Sequence, residues 1–285
     1  MLSFGCSTNK RQKLKKEVMQ SNEYQSICTE LKKIARDAGN FIREEGAKIS
    51  ENDVELKSVA SLVTYVDKET EKAIVKKLKQ LIPDSGFITE EGTATHSDEK
   101  YKWVIDPLDG TTNFIHGITP HSVSIGLMEA EEIVAGVVYE IGQDEMFYAW
   151  KGSPAYLNEK EIKVSPTANL EDTLIGTGFP YYDFDRVENY IDAMRYLMRH
   201  TRGLRRMGSA AVDIVYVAAG RFNAFYEHGL HPWDVAAGAL ILKQAGGSIS
   251  DFNGGENWLF GGEFVGAANN IFEQFYHIIN KHLGK

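Results

Sequence analysis

The chain reads as a layered α/β protein, and three observations predict this. Two stretches near the start show helical periodicity. A series of short β-branched and aromatic runs follows over 103–158, and from about residue 170 helical and strand patterns alternate.

Each element has its own reason. Tyr24, Ile27, Cys28, Leu31, Ile34, Ala35, Ala38, Phe41 and Ile42 recur at helical spacing and predict an amphipathic helix over 24–43. That makes Cys28 a core residue rather than a nucleophile. A second helix is predicted after Asp67, through Ala73, Ile74, Leu78 and Leu81, until Pro83 ends it. A short strand is expected at 87–89. The runs at 103–105, 122–128, 133–139, 146–150 and 155–158 are separated by short polar turns, which predicts an antiparallel meander. Beyond it the pattern gives strand 174–177, helix 185–199, strand 204–207, helix 209–219 and strand 222–226. Helix 232–245, strands 248–250 and 264–267, and helix 270–282 complete the chain.

A soft boundary near Ser165 and Pro166 divides an N-terminal half, 23–165, from a C-terminal half, 166–285. Ahead of both, Lys10, Arg11, Lys13, Lys15 and Lys16 form a basic run before Met19, and residues 1–22 read as a mobile extension. A nucleic-acid or partner-binding arm is the minority reading of that run.

With 43% hydrophobic and 25% charged residues among 285, the chain has the composition of a globular protein with a packed core. The 31 Lys and Arg against 40 Asp and Glu leave a net charge of −9, which gives no electrostatic reason to sit on nucleic acid or anionic lipid. Two cysteines, Cys6 and Cys28, are too few for a disulfide framework and fit a reducing compartment, with the cytoplasm as the default. No apolar run approaches the roughly 18 residues of a membrane span, and the first residues lack a signal-peptide pattern.

The sharpest local feature is Trp103-Val-Ile-Asp-Pro-Leu-Asp-Gly-Thr-Thr-Asn-Phe114. A hydrophobic strand ends in Asp106, Pro107 fixes a turn, and Asp109 follows just before Gly110, Thr111 and Thr112 open a helix. Two carboxylates thus converge at a strand end. The carbonyl of Leu108 can face the same point, and the amides of Gly110 and Thr111 form a nest for an anion. The combination suits Mg²⁺, which prefers oxygen ligands at roughly 2.0–2.1 Å and bridges carboxylates to a phosphate. A capped turn, with both acids spent on helix amides, is the competing reading of this segment. Glu90 and Glu91 after the strand at 87–89, and Asp234 at the first turn of an apolar helix, add acids, although each alone reads as a solvated or capping residue.

Three pieces in order, Phe87-Ile-Thr-Glu-Glu91, Asp106-Pro-Leu-Asp-Gly-Thr-Thr-Asn-Phe114 and Trp233-Asp-Val-Ala-Ala-Gly238, resemble the inositol monophosphatase family. That family belongs to the magnesium-dependent, lithium-sensitive sugar-phosphatase superfamily. The resemblance covers roughly 24–282 and implies a five-layered αβαβα sandwich, usually a homodimer, that hydrolyses small phosphate monoesters with two or three Mg²⁺ per site and is inhibited by Li⁺. It assigns Glu90, Asp106 and the Leu108 carbonyl to a first metal, Asp106, Asp109 and Asp234 to a second, and Glu90 with waters to a third. Thr111, supported by Asp67, would help polarise the attacking water, and a hydroxyl between an acid and that water is a proton relay. Asp67 also reads as the N-cap of the helix that follows it.

The implied mechanism is in-line attack by a metal-activated water, without a phosphoenzyme. Gly110 and Thr111 amides would hold phosphate, together with the substrate-facing Asp109 and Asp234. Gly208-Ser209-Ala210 resembles the family's substrate-facing helix start, and Glu227 matches a position that hydrogen-bonds ring hydroxyls. Lys57 resembles a basic residue of the entrance loop, but its spacing to Asp67 is one residue short, and a surface lysine is the safer reading. The implied substrate is myo-inositol monophosphate or a close relative. Histidinol phosphate, fructose bisphosphate and a 3′-phosphonucleotide are runners-up, and Glu227 favours a polyhydroxyl compound because a carboxylate repels a second phosphate.

Competing motifs are weaker. Asp183-Phe-Asp185-Arg-Val187 fits a dehalogenase-type nucleophile motif, but the buried strand it needs is replaced by Pro180-Tyr-Tyr182. His228 and His231 read as exposed loop histidines, since oxygen ligands favour hard ions over zinc. No cysteine-phosphatase, P-loop or dinucleotide fingerprint occurs. From another class, some relatives in the family act as partners of the transcription machinery. Arg202, Arg205 and Arg206, a compact basic cluster, could line a dimer interface, pair with substrate or contact such a partner, with a dimer or surface role the bland expectation.

Overall fold

The computed structural model describes residues 5–46, 48, 54–58, 61–94, 99–179 and 184–285; over 5–20, 54–58 and 61–63 it describes the backbone alone. Helix α1 (Gly5–Gly46) buries the stripe from Tyr24 to Ile42. It starts well before the predicted position, and the basic stretch read as an extension continues it. From Cys6 to Ala38 the sequence holds neither Pro nor Gly to interrupt a helix. Cys28 is buried as expected, and burial pushes its thiol up to about 12.

A hairpin not foreseen, β1 (Val54–Ser58) and β2 (Ser61–Thr64), leads into α2 (Tyr65–Leu81). Helix α2 begins three residues earlier than predicted, because Thr64, not Asp67, is its N-cap. The Thr64 hydroxyl accepts from Val66 N at 3.1 Å, and the backbone N–H of Thr64 donates to Asp67 Oδ2 at 2.8 Å, a capping box.

The meander forms one seven-stranded sheet in the order β3-β4-β5-β6-β7-β8-β9. Its members are β3 (Gly86–Thr89), β4 (Tyr101–Asp109), β5 (Ser122–Glu129), β6 (Glu132–Glu140), β7 (Glu145–Trp150), β8 (Ala155–Leu157) and β9 (Lys160–Ile162). All neighbours are antiparallel except β3 and β4, which run parallel. The second sheet has the order β11-β10-β12-β14-β13. It is built from β10 (Leu174–Thr177), β11 (Gly203–Arg205), β12 (Ala224–His228), β13 (Gly247–Ser250) and β14 (Glu263–Ala268).

Two apolar helices lie between the sheets. Every residue of α5 (Ala210–Ala218) is buried, and α6 (Pro232–Gln244) is buried from Val235 to Leu242. A helix apolar all round has no solvent face and belongs inside. Helices α1 and α2 cover the outer face of the large sheet. Helices α4 (Val187–His200) and α7 (Asn269–Leu283) cover the outer face of the small one. The layers are αβαβα, as the resemblance implies, and three hydrophobic clusters fill the spaces between them. Among the described residues no helix is long and apolar enough to cross a membrane.

Candidate functional site

The order of layers brings the sequence-distant acids to one place. Strand β4 does not stop at Asp106 but continues to Asp109, with its pairing to β5 interrupted between the two. Pro107 has no N–H to donate to the ladder, so the strand bulges there and turns both carboxylates to one side. Asp106 Oδ1 accepts from Leu108 N at 2.9 Å, and β4 then passes into the short helix α3 (Thr111–Ile115) through Gly110, whose φ of 91° is left-handed.

The two middle helices aim their N-termini at this point. Asp109 Oδ2 accepts from Ser209 Oγ at 2.6 Å and from Ala211 N at 2.8 Å, so Asp109 caps the start of α5 from across the sheet interface. Asp234 lies in the first turn of α6 and accepts from His231 N at 2.6 Å, with Pro232 opening the helix. Carboxylate oxygens of Asp106, Asp109 and Asp234 all lie within 4.8 Å of one another. Glu90, after β3, stands near enough to Asp106 to raise its pKa. The two readings of the motif are therefore both true of Asp109, which caps a helix and still presents a charge to the cluster.

Electrostatics follow from this crowding. Burial first, then Glu90, Asp109 and Asp234, push the Asp106 carboxyl well above the usual carboxylate range. Burial pushes Asp109 up to about 6 against the donors on α5, and burial with the charge of Asp109 raises Asp234 strongly. Four acids that repel one another around the buried Asp106 are what a divalent cation stabilises, and an all-oxygen set suits a hard ion such as Mg²⁺.

Beside the cluster, Thr111 Oγ1 lies 2.9 Å from Asp67 Oδ1 and 3.0 Å from the carbonyl oxygen of Leu108. Asp67 is fully buried and tied by its other oxygen to Thr64. It stands behind the site as the N3 residue of α2, which corrects the N-cap expectation. Asp106, Leu108 and Asp67 are thus set into the wall, whereas Glu90, Asp109, Gly110 and Thr111 line the cleft in front of them. Gly208, Ser209, Ala210, Glu227 and Asp234 line the same cleft, around a volume of about 160 Å³. Burial pushes Glu227 up to about 8.

Some placements escaped the sequence reading or go beyond it. Arg206, for which a dimer or surface role was the bland expectation and pairing with substrate an alternative, lines the cleft, where its charge lowers the pKa of Asp109 and Glu227. Arg202 does lie outside, paired with Asp172 at 2.8 Å. His228 is buried in β12 rather than exposed in a loop, whereas His231 is exposed ahead of α6 as expected and also lines the cleft. Asp213 on α5 lines the cleft as well. Glu71, fully buried on α2, accepts from Glu91 N and Thr93 N, both at 2.8 Å, and from Thr93 Oγ1 at 2.7 Å. Its signal in the sequence was a position one turn after Asp67, on the same helix face. Glu71 thereby holds the loop that carries Glu90. Glu71→Gln puts an amide against backbone donors, and we expect a stability loss of about 1–3 kcal/mol with weakened Mg²⁺ binding, read by thermal unfolding and by calorimetric titration. The Lys57 side chain and Asp183 lie outside the described residues.

Comparison with known proteins places this architecture. An inositol-1-monophosphatase of Mesorhizobium japonicum is 39% identical over 241 residues, covering 84% of this chain and 90% of the relative. A Nus factor SuhB of Pseudomonas aeruginosa is 40% identical over 254 residues, covering 87% and 94%. Among solved structures, the extragenic suppressor protein suhB of Bartonella henselae superposes with a TM-score of 0.86 at 35% identity, over 90% of this chain and all of that one. The Thermotoga maritima IMPase gives 0.82 at 33% identity, over 90% and 98%. With residues 23–283 matching the profile of the Inositol monophosphatase family, and with its acidic motifs gathered at one cleft, the chain belongs to that family.

Proposed function

We propose that this protein is a Mg²⁺-dependent phosphatase that hydrolyses a small polyol phosphate monoester, myo-inositol monophosphate foremost. One observation carries the reading: Asp106, Asp109 and Asp234, drawn from two separate stretches, hold their oxygens within 4.8 Å at a cleft that Glu227 also lines. Glu90, Asp106, Asp109, Asp234 and the Leu108 carbonyl would hold two or three ions, which when bound supply charge for the phosphate and lower the pKa of a water. The chain's own part is positional. The amides of Gly110 and Thr111 orient phosphate oxygens, the Thr111 hydroxyl moves a proton toward Asp67, and Glu227 accepts a hydroxyl of the alcohol half. Inhibition by Li⁺ and a homodimeric, cytoplasmic form belong to the same proposal.

Steady-state hydrolysis of an ester panel, with and without Mg²⁺, tests it. We expect myo-inositol monophosphate to give the highest kcat/KM, with histidinol phosphate, fructose bisphosphate and a 3′-phosphonucleotide lower, and turnover that stops on chelation and falls with Li⁺. A second reading rests on the likeness to proteins named Nus factor SuhB, and makes the chain a partner of the transcription machinery. Hydrolysis of none of these esters, together with complex formation that survives physiological salt, would favour it.

A further inference from the structure

Two distant parts of the chain meet backbone to backbone at the cleft. Gly110, where β4 enters α3, and Gly208, just ahead of α5, both take a left-handed φ, 91° and 92°. A Cβ on Gly110 would stand 3.2 Å from the Gly208 carbonyl oxygen and 3.0 Å from that of Pro120, in the loop before β5. One on Gly208 would stand 3.0 Å from both polar atoms of the Asn113 side chain. Glycine is what lets these segments close on one another.

Asn113, in the middle of α3 and only 4% exposed, ties them together. Its amide nitrogen donates to the Pro120 carbonyl at 2.7 Å and to the Met207 carbonyl at 2.8 Å. Both N–H groups are therefore spent on backbone, and the residue acts through what it holds. A second tie lies on the other side of Gly208, where Asp109 Oδ2 accepts from Ser209 Oγ and Ala211 N. A segment held at one point pivots about it, whereas one held on both sides of a glycine does not. The start of α5 is thus fixed against the turn that carries Gly110 and Thr111, and residues of both line the cleft.

We propose that Asn113 is a positioning residue for the hydrolysis. By holding Met207 and Pro120 it keeps the Gly208–Ser209 start of α5 aligned with the Gly110–Thr111 turn, so that a phosphate ester meets both in one orientation. This rests on the phosphatase reading above and goes further, because that reading gives Asn113 no task. A misplacement of about 1 Å between groups that orient a substrate is enough to cost about 10²-fold in rate.

The test compares wild type with Asn113→Ala on myo-inositol monophosphate, at saturating Mg²⁺ and well below the thermal transition of both proteins. We expect kcat to fall about 10- to 100-fold and competitive inhibition by inorganic phosphate to weaken about three- to tenfold. Mg²⁺ affinity, read by calorimetric titration, should stay within about twofold of wild type, because Asp109 keeps its own bonds to α5. A residue that only stabilises the fold lowers the thermal transition but leaves kcat and phosphate inhibition of the folded protein unchanged, and that result overturns the proposal. A loss of Mg²⁺ affinity as large as the loss of kcat also overturns it, since the side chain would then act through the acidic cluster. Should Asn113→Ala fail to fold, Asn113→Asp, nearly equal in volume, is read the same way: a carboxyl has at most one proton for two carbonyls, and a kcat within about twofold of wild type overturns. Wild-type protein that hydrolyses no ester defeats the phosphatase reading and this proposal together. Wild-type turnover with an unchanged kcat in the variants defeats the proposal alone.

Discussion

Asp109→Asn is expected to lower kcat/KM for every phosphate ester by about 10³-fold or more while the protein still folds. The structure separates the two duties of this side chain. Its Oδ2 holds Ser209 Oγ and Ala211 N at the start of α5, and its position within 4.8 Å of Asp106 and Asp234 makes it part of the acidic cluster. An asparagine can keep its oxygen on α5 at little cost. Its amide nitrogen then turns toward the cluster and offers donors where a cation requires an acceptor. One charge and one ligand disappear without a change in volume. Loss of about 4 kcal/mol of transition-state stabilisation corresponds to that rate. Steady-state kinetics across a Mg²⁺ titration, beside a thermal melt, check it, and near-normal activity in folded Asp109→Asn protein would defeat the metal assignment.

Thr111→Val should fail differently. The hydroxyl lies between Asp67 Oδ1 at 2.9 Å and the Leu108 carbonyl at 3.0 Å, and its one proton serves a single acceptor at a time. Burial first raises the pKa of Asp67, while the donors on Thr64 and Thr111 lower it. Were the Leu108 carbonyl one of the groups that hold a metal ion, Asp67 would remain as the acceptor of the Thr111 proton, and the Thr111 oxygen could receive a proton from water. Valine matches the shape and removes the relay, so kcat should drop by about 10²- to 10⁴-fold with Mg²⁺ affinity nearly unchanged. Calorimetric Mg²⁺ titration of the variant distinguishes this from the loss of a ligand. Asp67→Asn should reproduce the kinetic loss and add a stability loss of about 1 kcal/mol, because the capping box with Thr64 is weakened as well.

Much of the fold was written in local pattern. The strand at 174–177 and the helix from Pro232 appear where turn and cap chemistry put them, because those signals act over a few residues and need no tertiary partner. The hairpin at 54–64 was missed because its strands are short and lack a continuous apolar face. The start of α2 was placed late because Thr64 and Asp67 are both capping residues, and only their mutual hydrogen bonds show that Thr64 is the cap and Asp67 its partner. Strand β4 was ended too soon because the effect of Pro107, a bulge rather than a turn, depends on the neighbouring strand it fails to pair with.

The sequence alone determined the layered class, the acidic motifs and hence the family, since carboxylate chemistry and cap signals are properties of short stretches. Tertiary structure decided that Asp213 and Arg206 face the cleft, that Glu71 braces the loop of Glu90, and that Asp109 caps a helix far from it in the chain. Those assignments depend on which side of α5 and α2 meets which sheet, and an acid or arginine on a helix carries no mark of its burial until the layers close around it.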